Sequence, residues 1–203
     1  LYTKPFFFSP IYGLTIGQEI NNAFTLETGF FVNDYGESFR IVGEGFGYGS
    51  RNALVAYQIP LRLKARMKLL KDKLSLVTTV GYTFAINGNY GSSGSGYSFS
   101  SSTSPQYNDS TRTEHVSNYS LKKTYGLIEA GLALDYKFKN SLRLYLSANY
   151  LTGLSRVVET DVKYWINDGP EQTGTVISNG NYQSIIIGMK FPVSNLWAKK
   201  TNE

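Results

Sequence analysis

The stretch AYQIPLRLKARMKLL, residues 56–70, alternates two chemistries with a period of two. Ile59, Leu61, Leu63, Ala65, Met67 and Leu69 fall in one phase, and Arg62, Lys64, Arg66 and Lys68 in the other. Successive side chains of an extended strand point to opposite faces, so one face is continuously apolar and the other cationic. A helix would scatter the charges around its girdle, and Pro60 would break it. The segment therefore reads as a strand that needs two unlike environments. No other feature of the chain narrows its possible folds as much.

The same alternation recurs in six further segments: 10–20, 23–35, 74–86, 125–138, 142–151 and 182–193. Aromatic and glycine enrichment (16 Tyr, 12 Phe and 20 Gly in 203 residues) agrees with β structure and with one large all-β domain spanning 1–203. The chain has no Cys, which excludes a disulfide scaffold and a thiolate metal site. No apolar run approaches the roughly 20 residues of a membrane-spanning helix, a limit that does not apply to strands. The net charge of +5 is spread along the chain rather than gathered in a tail, so a nucleic-acid partner is not expected.

The connections carry as much information as the strands. Asn21-Asn22, Lys71 to Lys73 and Lys139 to Ser141 read as tight hairpin turns. Residues 36–52, 88–123 and 158–181 read as long loops, the middle one low in complexity and rich in Ser and Gly. Short and long links alternate strictly, so an up-and-down meander gathers all tight turns at one end and all long loops at the other. Outer-membrane barrels have this asymmetry.

An alternating barrel can be built with either face inward. A soluble lipocalin-like barrel turns its apolar phase inward around a ligand, whereas a membrane barrel turns that phase to lipid and its charges to the lumen. The polar phase here holds many small residues, among them Gly13, Gly17, Gly29, Ser75, Gly81, Gly131, Ala133, Ser147 and Gly188. A narrow barrel can admit long charged side chains only beside small ones. The charges of that phase have both signs: Glu19, Glu27, Glu129 and Asp135 accompany Arg62, Lys64, Arg66, Lys68, Arg143 and Lys190. Buried charges need such pairing. Tyr82, Phe84 and Tyr150 toward the long loops, and Tyr136, Phe138 and Phe191 toward the turns, match two interfacial girdles. The expected fold is thus all-β, an up-and-down antiparallel transmembrane barrel of about eight strands.

The segments FTLETGFFVNDYG, YQIPLRLKARMKLLKDKLSLVTTVGYTFAING, YGLIEAGLALDYKF and IIIGMKFPV together resemble the small outer-membrane β-barrel proteins of Bacteroidota, in the broad porin-like or OmpA/OmpX-like grouping. The resemblance implies an eight-stranded barrel in the bacterial outer membrane. It also implies contact with lipopolysaccharide and phospholipid, and service as a subunit of a larger envelope complex with protein partners. Seven strands are visible, so the eighth is expected at or before the N-terminus, with Leu1 to Ser9 supplying part of it or the strand lying upstream. The barrel spans about 10–193, and 194–203 is expected to form a periplasmic tail.

Dedicated chemistry is not expected. The single histidine, His115, lies near Glu114, Ser117 and Asp109, but a low-complexity loop is a poor scaffold for a Ser-His-acid triad. No residues cluster as metal ligands, and GEGFGYG at 43–49 lacks a phosphate-binding pattern, so no cofactor is expected. The leading expectation is a non-enzymatic barrel that acts through its loops. A soluble ligand-binding barrel and an outer-membrane lipid hydrolase or acyltransferase are the alternatives.

Overall fold

Each alternating segment is a strand. The structure, a computed structural model, describes residues 2–3, 11–43, 46–70, 73–88, 95–104, 107–138, 142–166 and 170–192. Side chains are described within 11–33, 55–70, 73–88, 122–138, 142–161, 163 and 170–192. In chain order the strands are β1 (Tyr2–Thr3), β2 (Ile11–Glu19), β3 (Phe24–Gly43), β4 (Phe46–Leu70), β5 (Leu74–Asn87), β6 (Ser95–Ser104), β7 (Tyr107–Leu121), β8 (Thr124–Lys137), β9 (Arg143–Gly153), β10 (Val158–Ile166), β11 (Gln172–Ser178) and β12 (Tyr182–Lys190). No helix occurs among the described residues.

Seven strands lie side by side in the main sheet, in the order β2-β3-β4-β5-β8-β9-β12, and each neighbouring pair is antiparallel. β1 continues along the edge of β3 that β2 occupies. Tyr2 opposes Arg40 and Thr3 opposes Phe39, while β4 fills the other edge of β3. Residues 2–3 are thus no separate eighth strand, and the rest of the expected Leu1 to Ser9 contribution lies outside the described residues. Residues 2–3 run in the direction of β2 because they share its antiparallel partner.

The sheet is curled into a half-barrel. Contacts between strands far apart in the ladder record the curl: Tyr182 Oη on β12 donates to Gln58 Oε1 on β4 at 2.8 Å, and Lys190 Nζ on β12 lies 3.8 Å from Glu27 Oε2 on β3. Residues 20–23, 71–73 and 138–142 link strands at one end. In the first of these turns, Asn21 Oδ1 accepts from the backbone N–H groups of Ala23 and Phe24, both at 2.8 Å.

The segments expected to be long loops are largely strand. β3 and β4 continue as one hairpin to the pair Gly43–Phe46, within the GEGFGYG run. β6, β7, β10 and β11 form a second antiparallel sheet in the order β11-β10-β7-β6. Hairpin extension satisfies backbone donors and acceptors whatever the side chains are, and the Ser- and Thr-rich β6 and β7 leave no alternating apolar signal in the sequence.

Pro60 sits inside a central strand, opposite Thr83 of β5. The β3–β4 ladder passes from Thr28–Leu61 to Phe31–Gln58 with no change of register and skips the pairs beside Pro60, which has no N–H to donate. Thr28 Oγ1 donates to the Pro60 carbonyl instead, at 2.7 Å.

The small residues of the polar phase are matched to large ones. Gly13 is registered with Phe31, Gly81 with Arg62, Gly131 with Asn149 and Gly188 with Tyr145. A Cβ at Gly81 would lie 2.7 Å from the Leu61 carbonyl oxygen, and one at Gly188 would lie 2.5 Å from the Tyr145 ring. Gly81→Leu should therefore cost about 1–3 kcal/mol by overpacking. Val80→Leu, on the exposed convex face, should change stability by less than about 0.5 kcal/mol. Denaturant unfolding of the two variants measures the difference.

Candidate functional site

The concave face of the curled sheet holds the polar phase of its strands, charged on all but β5. β4 runs along its middle and lays Arg66, Lys64 and Arg62 in a row from the tight-turn end toward the other, because alternate residues of one strand share a face. Neighbouring strands bring carboxylates up against that row.

At the tight-turn end, Arg66 Nη1 donates to Glu19 Oε1 at 3.1 Å, and Arg143 Nη2 lies 3.8 Å from the same oxygen. Asp135 is 2% exposed and faces both guanidinium groups, with Arg143 Nη1 at 3.6 Å and Arg66 Nη2 at 3.9 Å. One step further in, Glu27 is shared by three cations. Lys64 donates to it, Arg62 Nη1 donates at 3.4 Å, and Lys190 lies 3.8 Å away. The Tyr145 ring faces Lys190 at 4.8 Å and Lys64 at 5.9 Å. Deeper still, Arg62 Nε donates to Glu129 Oε2 at 2.8 Å, and its guanidinium packs over the Phe31 ring at 4.9 Å. Thr83 Oγ1 also donates to Glu129, whose residue is 1% exposed.

Beyond Glu129 the interior turns apolar. Ala85, Tyr125, Leu127, Leu151, Val157 and Val158 form a buried cluster with Tyr182 packed on it. Gly180 takes a left-handed φ of 72° there, and a Cβ would lie 3.3 Å from both Tyr125 and Val157. The concave face is therefore charged through the tight-turn end and its middle, and toward the other end it carries this apolar cluster beside the buried Asn33, Gln58 and Asn87. At this level Tyr125, Leu127 and Leu151, apolar residues of the polar phase, are buried on the concave side. The adjacent apolar pairs Leu127-Ile128 and Tyr150-Leu151 break the alternation and are the sequence mark of this cap.

All ten charged residues expected in the interior lie on the concave phase. Nine take part in the ion pairs above, and Lys68 is exposed at the tight-turn end of β4, opposite Ser75. A cavity of about 20 Å³, lined in part by Glu27, Lys64, Asp135, Tyr145, Asn149 and Lys190, has room for about one or two waters. Both carboxylate oxygens of Asp135, Glu129 Oε1, Arg66 Nε, Gln58 Nε2 and Asn33 Nδ2 are buried without a hydrogen-bond partner in the protein. The phase pattern alone did not mark Phe31, Tyr145, Asn149 or the Tyr182–Gln58 bond as parts of this interior.

Tyr82, Phe84, Tyr136, Phe138, Tyr150 and Phe191 are all exposed on the convex face. Tyr136 and Phe138 pack edge to face at 5.0 Å, and Phe30 stacks on Tyr57 at 6.1 Å, adding two rings to the set that the sequence marked. His115 is placed in β7, in register with Tyr164 and Ser98, not in a loop; its side chain lies outside the described ones. Among the described residues no group of His, Cys, Asp or Glu is arranged to hold a metal ion. Comparison of the chain with protein-family models, curated proteins and solved structures finds no match.

The chemistry of this interior is mutual neutralisation. Removing one partner of a buried ion pair leaves an uncompensated charge. Glu27→Gln should therefore cost about 3–5 kcal/mol, because it removes the negative charge shared by Arg62, Lys64 and Lys190. Glu19→Gln, at a residue whose side chain is 58% exposed, should cost less than about 1 kcal/mol. Unfolding midpoints of the two variants test this ordering.

Proposed function

We propose that this chain is an integral outer-membrane β-barrel, of the small porin-like kind found in Bacteroidota, that serves as a non-enzymatic structural or interaction subunit of an envelope complex. The observation that carries the reading is the inversion of the two faces. Glu27, Arg62, Glu129 and Asp135 are buried, while Leu14, Ile16, Leu61, Val80, Leu132, Leu146 and Ile187 stand exposed on the convex side. A water-soluble protein rarely exposes so continuous an apolar surface. Lipid tails are the solvent that suits it, and the charged side is then the lumen.

Strand length agrees. β2 and β12 have 9 residues each and β9 has 11, against the roughly 9–11 that cross a bilayer when tilted. The exposed aromatics fall toward the two ends of this band, as at lipid–water interfaces. The ion-pair network fills the lumen and the apolar cluster closes it, so the barrel does not conduct large solutes. The second sheet and the extended β3–β4 hairpin form the outer part of the molecule and offer the surface for protein partners. A lipocalin-like reading would need an apolar concave face, and the charged lining favours the membrane reading over it.

Heat-modifiability is the direct test. Detergent-extracted protein should migrate differently in dodecyl sulfate gels before and after boiling, because a closed barrel has no edge at which unfolding can start. A protein that is soluble without detergent and shows no shift would overturn the reading. A second test is Leu132→Arg on the convex face. At the bilayer midplane it should cost about 2–4 kcal/mol, seen as a lower folded yield in vesicles. On a water-facing surface the same change would be nearly neutral.

A further inference from the structure

Charges of opposite sign interleave in the middle of the concave face, but its tight-turn mouth is built differently. Register sets a row of cations side by side there. Arg143 of β9 stands directly opposite Lys137 of β8 on one side and Lys190 of β12 on the other. Lys73, just before β5, extends the row. Leu74 opposes Tyr136, and the Lys137 N–H donates to the Lys73 carbonyl at 2.7 Å. All four residues continue the phase of Ser75 and Asp135, which is the concave one. Like charges directly opposite on neighbouring strands repel. Three strand spacings of about 4.8 Å give the row a length of about 14 Å.

The acids within reach do not cancel it. Lys73 and Lys137 are exposed and make no ion pair among the described residues. Arg143 meets Asp135 at 3.6 Å and Glu19 at 3.8 Å, both beyond hydrogen-bond distance. Both of those acids are shared with Arg66. Lys190 lies 3.8 Å from Glu27, which already serves Arg62 and Lys64. In sequence, the two flanking links add Lys71 and Lys139 against Asp72. An anion laid across the row replaces repulsion by attraction, and it meets donors that no acid holds within hydrogen-bond distance.

We propose that this row is a docking site for an acidic segment of a protein partner, lying across the tight-turn mouth. The length of the row decides against a single small anion, which can bridge two neighbouring cations but not four. Its face decides against a lipid headgroup. At the same level the convex phase carries Tyr136, Leu144 and Met189, all exposed, and a lipid arriving from the side meets those. An extended peptide suits the row, because alternate residues are about 6.6 Å apart and three carboxylates so spaced span nearly its length. Recognition follows from the charges themselves. Its placement at the periplasmic end of an envelope subunit rests on the membrane-barrel reading above.

Fluorescence anisotropy of a labelled Glu-Ser-Glu-Ser-Glu peptide tests the site, with the protein held in dodecylmaltoside micelles. The peptide should bind at low salt, and a Gln-Ser-Gln-Ser-Gln peptide should not. Lys73→Gln combined with Lys137→Gln should weaken binding about tenfold, the scale of two lost surface ion pairs. Lys122→Gln combined with Lys163→Gln removes as much charge away from the mouth and should leave binding unchanged. Full binding by the Lys73 and Lys137 double variant would overturn the site. Equal binding of the Gln peptide would overturn recognition by charge. Displacement by an equal concentration of inorganic phosphate or dihexanoylphosphatidylglycerol would show a single-anion or lipid site and overturn the peptide. Tighter, equally variant-sensitive binding of an oligothymidylate would overturn the partner class. Gel mobility with and without boiling is read on the same samples. Binding without a boiling-dependent shift sinks the membrane reading alone, and a shift without binding sinks the docking site alone.

Discussion

The structure depends on one constraint: the charges of six strands share a narrow concave space and must neutralise one another there. Glu27 meets it most visibly, because cations from β4 and β12 converge on it across the curl. Glu129 and Asp135 do the same from β8, each facing a guanidinium of β4. Strands that are not ladder neighbours are thereby tied together. The attraction repays desolvation only with close geometry, which makes the curl and the ion pairs mutually dependent.

Space is the companion constraint. Arg62 and Tyr145 can lie flat over the sheet only because the residues registered with them are Gly81 and Gly188. Glycine weakens a strand by itself, so its recurrence on this face is explained by the neighbour it admits rather than by the backbone it sits in. On the convex face the same matching recurs at Gly126, where a Cβ would lie 2.2 Å from the Tyr82 hydroxyl. The other Leu, Ile, Phe and Tyr side chains of that face stand exposed side by side.

The interior is also graded along its axis. The cations of the ion pairs grow more buried from Arg143 to Arg62, and the hydrocarbon cluster of Tyr125, Leu127, Leu151 and Val157 follows.

Alternation in residues 56–70 and in the six similar segments was enough to mark the seven strands of the main sheet and the membership of each face, since a period of two depends on the backbone alone. The opposed signs of Asp135 and Arg143 beside one turn, and of Glu27 and Arg62 on adjacent strands, made part of the network legible too. The strands β6 and β7 were not legible, because a hairpin rich in Ser and Thr on both faces shows no apolar period and is held by backbone pairing, and the alternation of Val158 and Val162 with Glu159, Asp161 and Lys163 in β10 is short. The cap was hidden for a related reason: Leu127 and Leu151 are apolar residues in a polar phase, and only packing against Val157 and Tyr182 explains them. Sequence alone determined what each face is made of. Tertiary structure decided which face is buried and which cations share which acid, because curl and register set distances between residues remote in the chain.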